Sequence, residues 1–164
     1  MDEQTTVMAE GRRMMRLSRE LSREHFQALL DEYQRLLTGL FEGRGGRDAE
    51  ASGDTATAVF ATAKDAALAA VAAQHAMAAH DWPQGPRPAI SVALDSGQAA
   101  AERCAELCDA AEGGQIFVST TTAGLLADEH LGDLALRDLG EQQTRRTELA
   151  VRAFELVVPP ATRW

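Results

Sequence analysis

The stretch RGGRDAEASGDTATAVF, residues 44–60, predicts a β-hairpin that directly follows a helix. Glycines at 43, 45 and 46 end the helical pattern that precedes it. Residues 47–52 form one predicted arm and Gly53-Asp54 the turn. Residues 55–62 form the other arm, in which threonines, Val59 and Phe60 are the β-formers. The other predicted helices and strands lie on either side of this hairpin along the chain.

Helical patterns lie on both sides of the hairpin. From about residue 12 to residue 41, apolar side chains recur at three- and four-residue intervals, and Ser22 is a candidate N-cap that divides the stretch into two helices. Residues 64–80 are rich in alanine, the strongest helix former, and predict a further helix. A short extended segment at residues 5–8 precedes them all.

Strands and helices continue to alternate towards the carboxyl end, without a strict βαβ rhythm. The predicted elements are a strand at 89–94, a helix at 99–111, a strand at 115–119, a helical turn at 120–127, and strands at 134–139 and 151–158. The pattern indicates an α+β fold. We expect a single domain over residues 1–158 and a tail or linker stub over residues 159–164.

The composition excludes several classes of partner. The chain has 164 residues, and 25 acidic against 16 basic side chains give a formal net charge of -9. Nucleic-acid and anionic membrane surfaces both require a basic footprint, so neither is an expected partner. No apolar leader and no long apolar run occur, which predicts a cytoplasmic protein. Hydrophobic residues make up 45% but aromatic ones only 5%, which indicates a core of small side chains.

Catalytic motifs are absent from the sequence. No phosphate-binding glycine loop, nucleophile elbow or zinc-protease motif occurs. Cys104 and Cys108 lie one helical turn apart, a poor geometry for a disulfide, and are expected to be buried thiols in a reducing compartment. Asp54 is the one acid that a loop would present to a ligand, although a turn aspartate also bonds its own backbone.

Several blocks in a fixed order carry a family resemblance. Besides residues 44–60, residues 110–119 read AAEGGQIFVS, and residues 136–140 and 153–157 supply the closing strands. In this order they resemble the class III adenylate/guanylate cyclase homology domain over nearly the whole chain. The resemblance implies a nucleotidyl cyclase fold, a ferredoxin-like sheet with helices. Here it is shortened by loss of the arm hairpin, of which only residues 98–101 remain.

The same resemblance assigns five positions to the family's active site. Ala9 stands where the first metal-binding aspartate is expected, whereas Asp54 matches the second. Glu50 replaces the lysine that reads the base. Glu102 and Glu106 replace the asparagine and arginine that hold the ribose and the phosphates.

These replacements predict a degenerate domain that is not an enzyme, holds no cofactor and does not bind a nucleoside triphosphate. A phosphate attraction lost at about 5 Å corresponds to roughly 3 kcal/mol at an effective dielectric constant of 20, and a reversed charge doubles it. The rate would fall by a factor of about 10⁴ or more. The expected role is regulatory, through contact with a protein partner or as a homodimer. The lost arm normally helps to hold the family's dimer, so a monomer or a different dimer is also open.

Two alternatives remain. Asp54, Glu50 and Glu102 could gather around a divalent cation, as in a metal or nucleotide sensor without turnover. The second alternative is that the domain retains a residual adenylate or guanylate cyclase activity.

Overall fold

A seven-stranded sheet organises the chain in the computed structural model, which describes residues 3–145 and 150–159. Its strands within these residues are β1 (Thr5–Arg12), β2 (Arg47–Ser52), β3 (Thr55–Phe60), β4 (Ala89–Ser96), β5 (Ile116–Val118), β6 (Ala135–Gln143) and β7 (Ala150–Val157). Their order across the sheet is β2-β3-β1-β4-β5-β7-β6. The pair β4-β5 is parallel, and the other neighbours are antiparallel.

Five helices pack against this sheet in the described ranges: α1 (Met14–Glu20), α2 (Arg23–Gly43), α3 (Ala63–Ala79), α4 (Ala100–Ala110) and α5 (Thr120–Leu126). The run from β1 to β4, with its order β2-β3-β1-β4, is the β-α-β-β-α-β arrangement of ferredoxin-like folds. The predicted α+β class, hairpin and alanine-rich helix are confirmed.

Side-chain caps explain where three helices begin. The hydroxyl oxygen of Ser22 accepts a hydrogen bond from the amide of His25 at 3.1 Å, so the predicted division between α1 and α2 is confirmed. Thr62 caps α3 and Ser119 caps α5 in the same way. Each cap satisfies an amide that has no partner inside its helix.

The strands β1 and β6 each extend four residues beyond their predicted ends. β1 was expected at residues 5–8 but continues to Arg12, because it lies between β3 and β4 and pairs with β4 as far as Arg12. β6 was expected to end at residue 139 but continues to Gln143, which pairs with Ala150. In both cases the additional residues are mostly polar or glycine and have low β-propensity, so the sequence does not predict a strand there. Pairing with a neighbouring strand overrides that low propensity.

The core has two parts, one on each face of the sheet. On one face α2 and α3 cover β1, β3 and β4, with the buried aromatic side chains Tyr33, Phe41 and Phe60 and a row of buried alanines from α3. On the other face α4 buries Leu107 and the two cysteines against the sheet. Both thiols are buried and do not form a disulfide with each other, as predicted.

The chain passes from β4 to α4 through Gly97, Gln98 and Ala99 alone, so no arm hairpin stands between these elements. Gly97 and Ala99 both have positive φ, 92° and 59°, and turn the chain sharply. Within the described ranges, no helix combines the length and apolar composition needed to cross a membrane. Of the predicted tail, residues 160–164 lie outside the described residues.

Candidate functional site

The tip of the β2–β3 hairpin is held in place by three hydrogen bonds. Tyr33 Oη donates to the carbonyl oxygen of Asp54 at 2.6 Å, and Gln34 Nε2 donates to that of Gly53 at 2.7 Å, so α2 fixes the turn from one side. The amide of Gly11, in β1, also donates to the Asp54 carbonyl, at 2.9 Å. The position of Asp54 is therefore set by its backbone.

The carboxylate of Asp54 is less constrained than its backbone. The side chain is half-buried, and Thr55 Oγ1 lies 3.5 Å from Oδ1, a long hydrogen bond. The nearby Tyr33 is fully buried. Burial, and then the negative charge of Asp54, raise the pKa of Tyr33 well above its ordinary value. Tyr33 thus stays a neutral hydrogen-bond donor to the turn.

Ala9, the position assigned to the first metal aspartate, faces the core. It is fully buried opposite Ala56 of β3 and Val92 of β4. The next residue, Glu10, lies on the other face of the sheet, because side chains alternate along a strand. Glu10 is 6% exposed and pairs in register with Thr55, the residue after Asp54. The structure thus places an acid on β1 beside the hairpin tip.

Sequence reasoning missed Glu10 because the predicted first strand ended at residue 8. If the predicted strand had been continued to residue 12, the alternation of side chains between the two faces would have placed Met8, Glu10 and Arg12 on one face. Arg12 Nη1 lies 3.3 Å from Glu10 Oε1, and Arg12 Nη2 donates to the carbonyl oxygen of Ala111 at the end of α4, at 3.1 Å. The side chains of this ion pair are only 16% and 8% exposed.

Two of the three predicted glutamates are exposed to solvent, and the third is half-buried. Glu50 is exposed on the edge strand β2, opposite Thr57. Glu102 is exposed on α4 and Glu106, one turn further on, is half-buried. The predicted cluster of Asp54, Glu50 and Glu102 does not form: among residues 3–145 and 150–159, no three His, Cys, Asp or Glu side chains are grouped to hold a metal ion.

The outer face of the β2–β3 hairpin is only partly covered. α4 packs against β1 and β4. On this side of β3 the residues Thr55, Thr57 and Val59 are half-buried, whereas Ala56, Ala58 and Phe60 on the other side are buried. Register places Arg47 beside Val59 and Glu50 beside Thr57. The result is a mixed polar and apolar strip at the edge of the sheet, which we call the hairpin face.

No protein-family model matches the chain, and no curated protein matches it. Solved structures do. The chain is similar to the non-canonical dimeric guanylyl cyclase domain of the RhoGC fusion protein from the aquatic fungus Blastocladiella emersonii, with 14% identity, a TM-score of 0.79, and coverage of 96% of this chain and 97% of that one. It is also similar to the adenylyl cyclase CyaB from P. aeruginosa, with 21% identity, a TM-score of 0.68, and coverage of 96% and 95%.

A third similar structure is that of an adenylate cyclase from Trypanosoma brucei in its monomeric state, with 13% identity, a TM-score of 0.77, and coverage of 99% of this chain and 91% of that one. At these identities the similarity concerns the fold. The chain has the class III nucleotidyl cyclase fold, as its sequence predicted.

Proposed function

We propose that this cyclase-fold domain does not convert a nucleoside triphosphate and acts through contacts with another protein chain. The observation that carries the proposal is the ion pair between Arg12 and Glu10 beside the hairpin tip. A divalent cation held by Glu10 would have to displace the guanidinium from it. Removing one partner of a largely buried ion pair is costly, because the other charge is left without compensation.

The acids on α4 support the same proposal. Glu102 and Glu106 stand where the resemblance assigns an asparagine and an arginine, and their charge repels a polyphosphate instead of attracting it. Transfer of a phosphoryl-type group depends mainly on positioning and on stabilising negative charge. Ala9 adds no ligand at the first metal position.

The hairpin face is our candidate for the protein contact, and a second copy of the chain is the first partner to test. Similar cyclase domains have been crystallised both as a dimer and as a monomer. We infer a homodimer that uses the hairpin face. Since Cys104 and Cys108 do not form a disulfide, we also infer that the domain lies in the reducing cytosol.

Light scattering over a range of protein concentrations tests the homodimer. The wild-type chain should approach twice its monomer mass, and Val59→Arg, which adds a charge to the hairpin face, should remain a monomer. Arg35→Glu, an exposed change on α2, is the control and should behave as wild type. A wild-type chain that stays a monomer at the highest concentration would rule out the homodimer and leave a different protein as the partner.

A second candidate function is sensing of a divalent cation or a nucleotide without turnover. It is favoured by the position of Glu10, whose strand neighbour Gly11 is bonded directly to Asp54. Calorimetric titrations with Mg²⁺, Mn²⁺, ATP and GTP test this function. Heat of binding that Asp54→Ala abolishes would support the sensor, and flat titrations would reject it.

A further inference from the structure

Three arginines line a cleft where β1 ends and where β4 and β5 begin. The cleft has a volume of about 410 Å³ and is formed by Arg12, Arg13, Ala89, Glu112, Gly113 and Arg145. We call it the arginine cleft. Its volume is within the range of small-molecule sites, roughly 300–1,000 Å³. None of the five positions assigned by the family resemblance lines it, and it is basic in a chain whose net charge is -9.

The guanidinium group of Arg12 contacts two groups that do not line the cleft. It is fixed by Glu10 on one side and by the carbonyl oxygen of Ala111 on the other. Its Nε atom is buried and has no hydrogen-bond partner in the described part of the chain. Proteins rarely leave a buried donor unpaired.

Arg145 reaches the cleft from the loop that follows β6. Its Nη2 lies 2.6 Å from Glu112 Oε1, and its backbone amide donates to the carboxylate of the buried Asp109. These two contacts connect the loop to α4 and to the turn that follows it. Asp109, which does not line the cleft, therefore holds the backbone of Arg145, and Glu112, which does, holds its guanidinium group.

Arg13 supplies the charge that the cleft does not balance internally. It occupies the junction between β1 and α1 with φ of 63°, a left-handed conformation that arginine rarely adopts. Glu10 is paired with Arg12 and Glu112 with Arg145, whereas Arg13 is exposed and forms no ion pair with residues 3–145 or 150–159. Arg13 is therefore an arginine of the cleft that has no acidic partner among the described residues.

We propose that the arginine cleft binds a small phosphate-bearing anion, without a metal ion and within a single chain. Guanidinium groups bind phosphate through paired N–H donors in a fixed planar geometry. Three arginines line this cleft, two from adjacent positions at the end of β1 and one from the loop after β6. A tetrahedral phosphate offers acceptor oxygens in several directions, whereas a carboxylate offers two oxygens in one plane. The cleft shares Arg12 with the ion pair described above but uses neither Asp54 nor the hairpin face, so anion binding here can hold whether or not the domain turns over a nucleotide.

Nuclear magnetic resonance titration of the full chain with inorganic phosphate, in the presence of a metal chelator, tests the proposal. We expect saturable shifts of the Arg12, Arg13 and Gly113 amide signals. Arg145→Gln and Arg13→Gln should each weaken binding by about tenfold or more, since each removes charged hydrogen-bond donors. Arg35→Gln removes the same charge from the exposed surface of α2 and should change binding less than twofold.

Three outcomes would overturn the proposal. One is the lack of saturable shifts at millimolar phosphate. Another is an equal loss of binding in Arg35→Gln, which would indicate general charge attraction. The third is binding that needs Mg²⁺ and disappears in Asp54→Ala, which would place the anion at the hairpin tip. That last result would support the sensing function while it overturned the arginine-cleft site. The experiment therefore distinguishes a failure of one proposal from a failure of the other.

Discussion

At the scale of single residues, Tyr33 connects the core to the candidate site. It is the one tyrosine of the chain, it is fully buried, and its hydroxyl donates to the turn carbonyl of Asp54. Burial raises the pKa of Tyr33 well above the ordinary value near 10. The folded state therefore keeps the phenol proton at a pH where the unfolded chain releases it.

This difference predicts a loss of stability in alkali. The contribution of Tyr33 to the free energy of unfolding is complete below about pH 10 and falls as the pH rises towards the folded pKa, because the unfolded state then binds fewer protons. Burial also raises the pKa of Cys104, which acts in the same direction. The tyrosinate absorbance should appear together with the loss of the circular dichroism signal. Tyrosinate that forms near pH 10 in a chain that is still folded would contradict the burial of Tyr33.

Gln74 is a buried polar residue whose role is structural. Its Nε2 donates to the carbonyl oxygens of Ile90 and Gln115, at 3.0 and 3.1 Å, and so connects α3 to β4 and to the start of β5. Both carbonyls also accept a backbone amide, from Gly114 and Val92, so neither is left unpaired when the side chain is removed.

Gln74→Met should therefore lower the free energy of unfolding by about 1–2 kcal/mol. Gln27→Met makes the same chemical change on the exposed surface of α2 and should stay within about 0.5 kcal/mol of wild type. Urea unfolding of the two variants checks the prediction. Equal stabilities would mean that the Gln74 hydrogen bonds contribute nothing to the fold.

At the scale of elements, Gly46 shows how the hairpin can begin so soon after α2. A Cβ at Gly46 would lie 2.8 Å from the carbonyl oxygen of Phe41 and 2.9 Å from the ring of Phe60. Phe60 is 1% exposed and packs edge-on against the ring of Phe41, 6.2 Å between centroids. The hairpin can thus begin close under the helix only with glycine at this position.

Gly46→Ala should destabilise the domain by about 2–3 kcal/mol, since the added methyl group has no room. Gly43→Ala, at the last residue of α2, meets nothing within 4 Å and should stabilise it by about 0.5–1 kcal/mol. Thermal unfolding of the two variants would show melting temperatures on opposite sides of wild type. A Gly46→Ala variant as stable as wild type would contradict the packing at the start of the hairpin.

Local chemistry made several elements predictable from sequence. Ser22, Gly53-Asp54 and the alanine-rich α3 each carry their signal in adjacent residues, and the structure has each where it was expected. The second half of β1 was not predictable in this way, because Glu10, Gly11 and Arg12 form a strand only through pairing with β3 and β4. For the same reason the sequence did not indicate that Glu10 and Arg12 meet, or that Arg12 and Arg145 share a cleft.

At the scale of the whole molecule, both edges of the sheet are interrupted. The register of β2 breaks between Arg47 and Glu50, where Asp48 has φ of 54°, and that of β6 breaks between Asp138 and Gly140. Such irregular edges disfavour uncontrolled strand pairing with other molecules. Contacts are thus more readily made through the hairpin face, as we propose, than through either edge.

The central claim is that a cyclase fold without its arm hairpin is used here without turnover. The most direct test measures cyclic nucleotide formation from ATP and GTP in the presence of Mn²⁺, for the wild-type chain and for Asp54→Ala. We predict that the wild-type chain forms no more product than Asp54→Ala with either nucleotide. Product that exceeds this background and is lost in Asp54→Ala would contradict the claim.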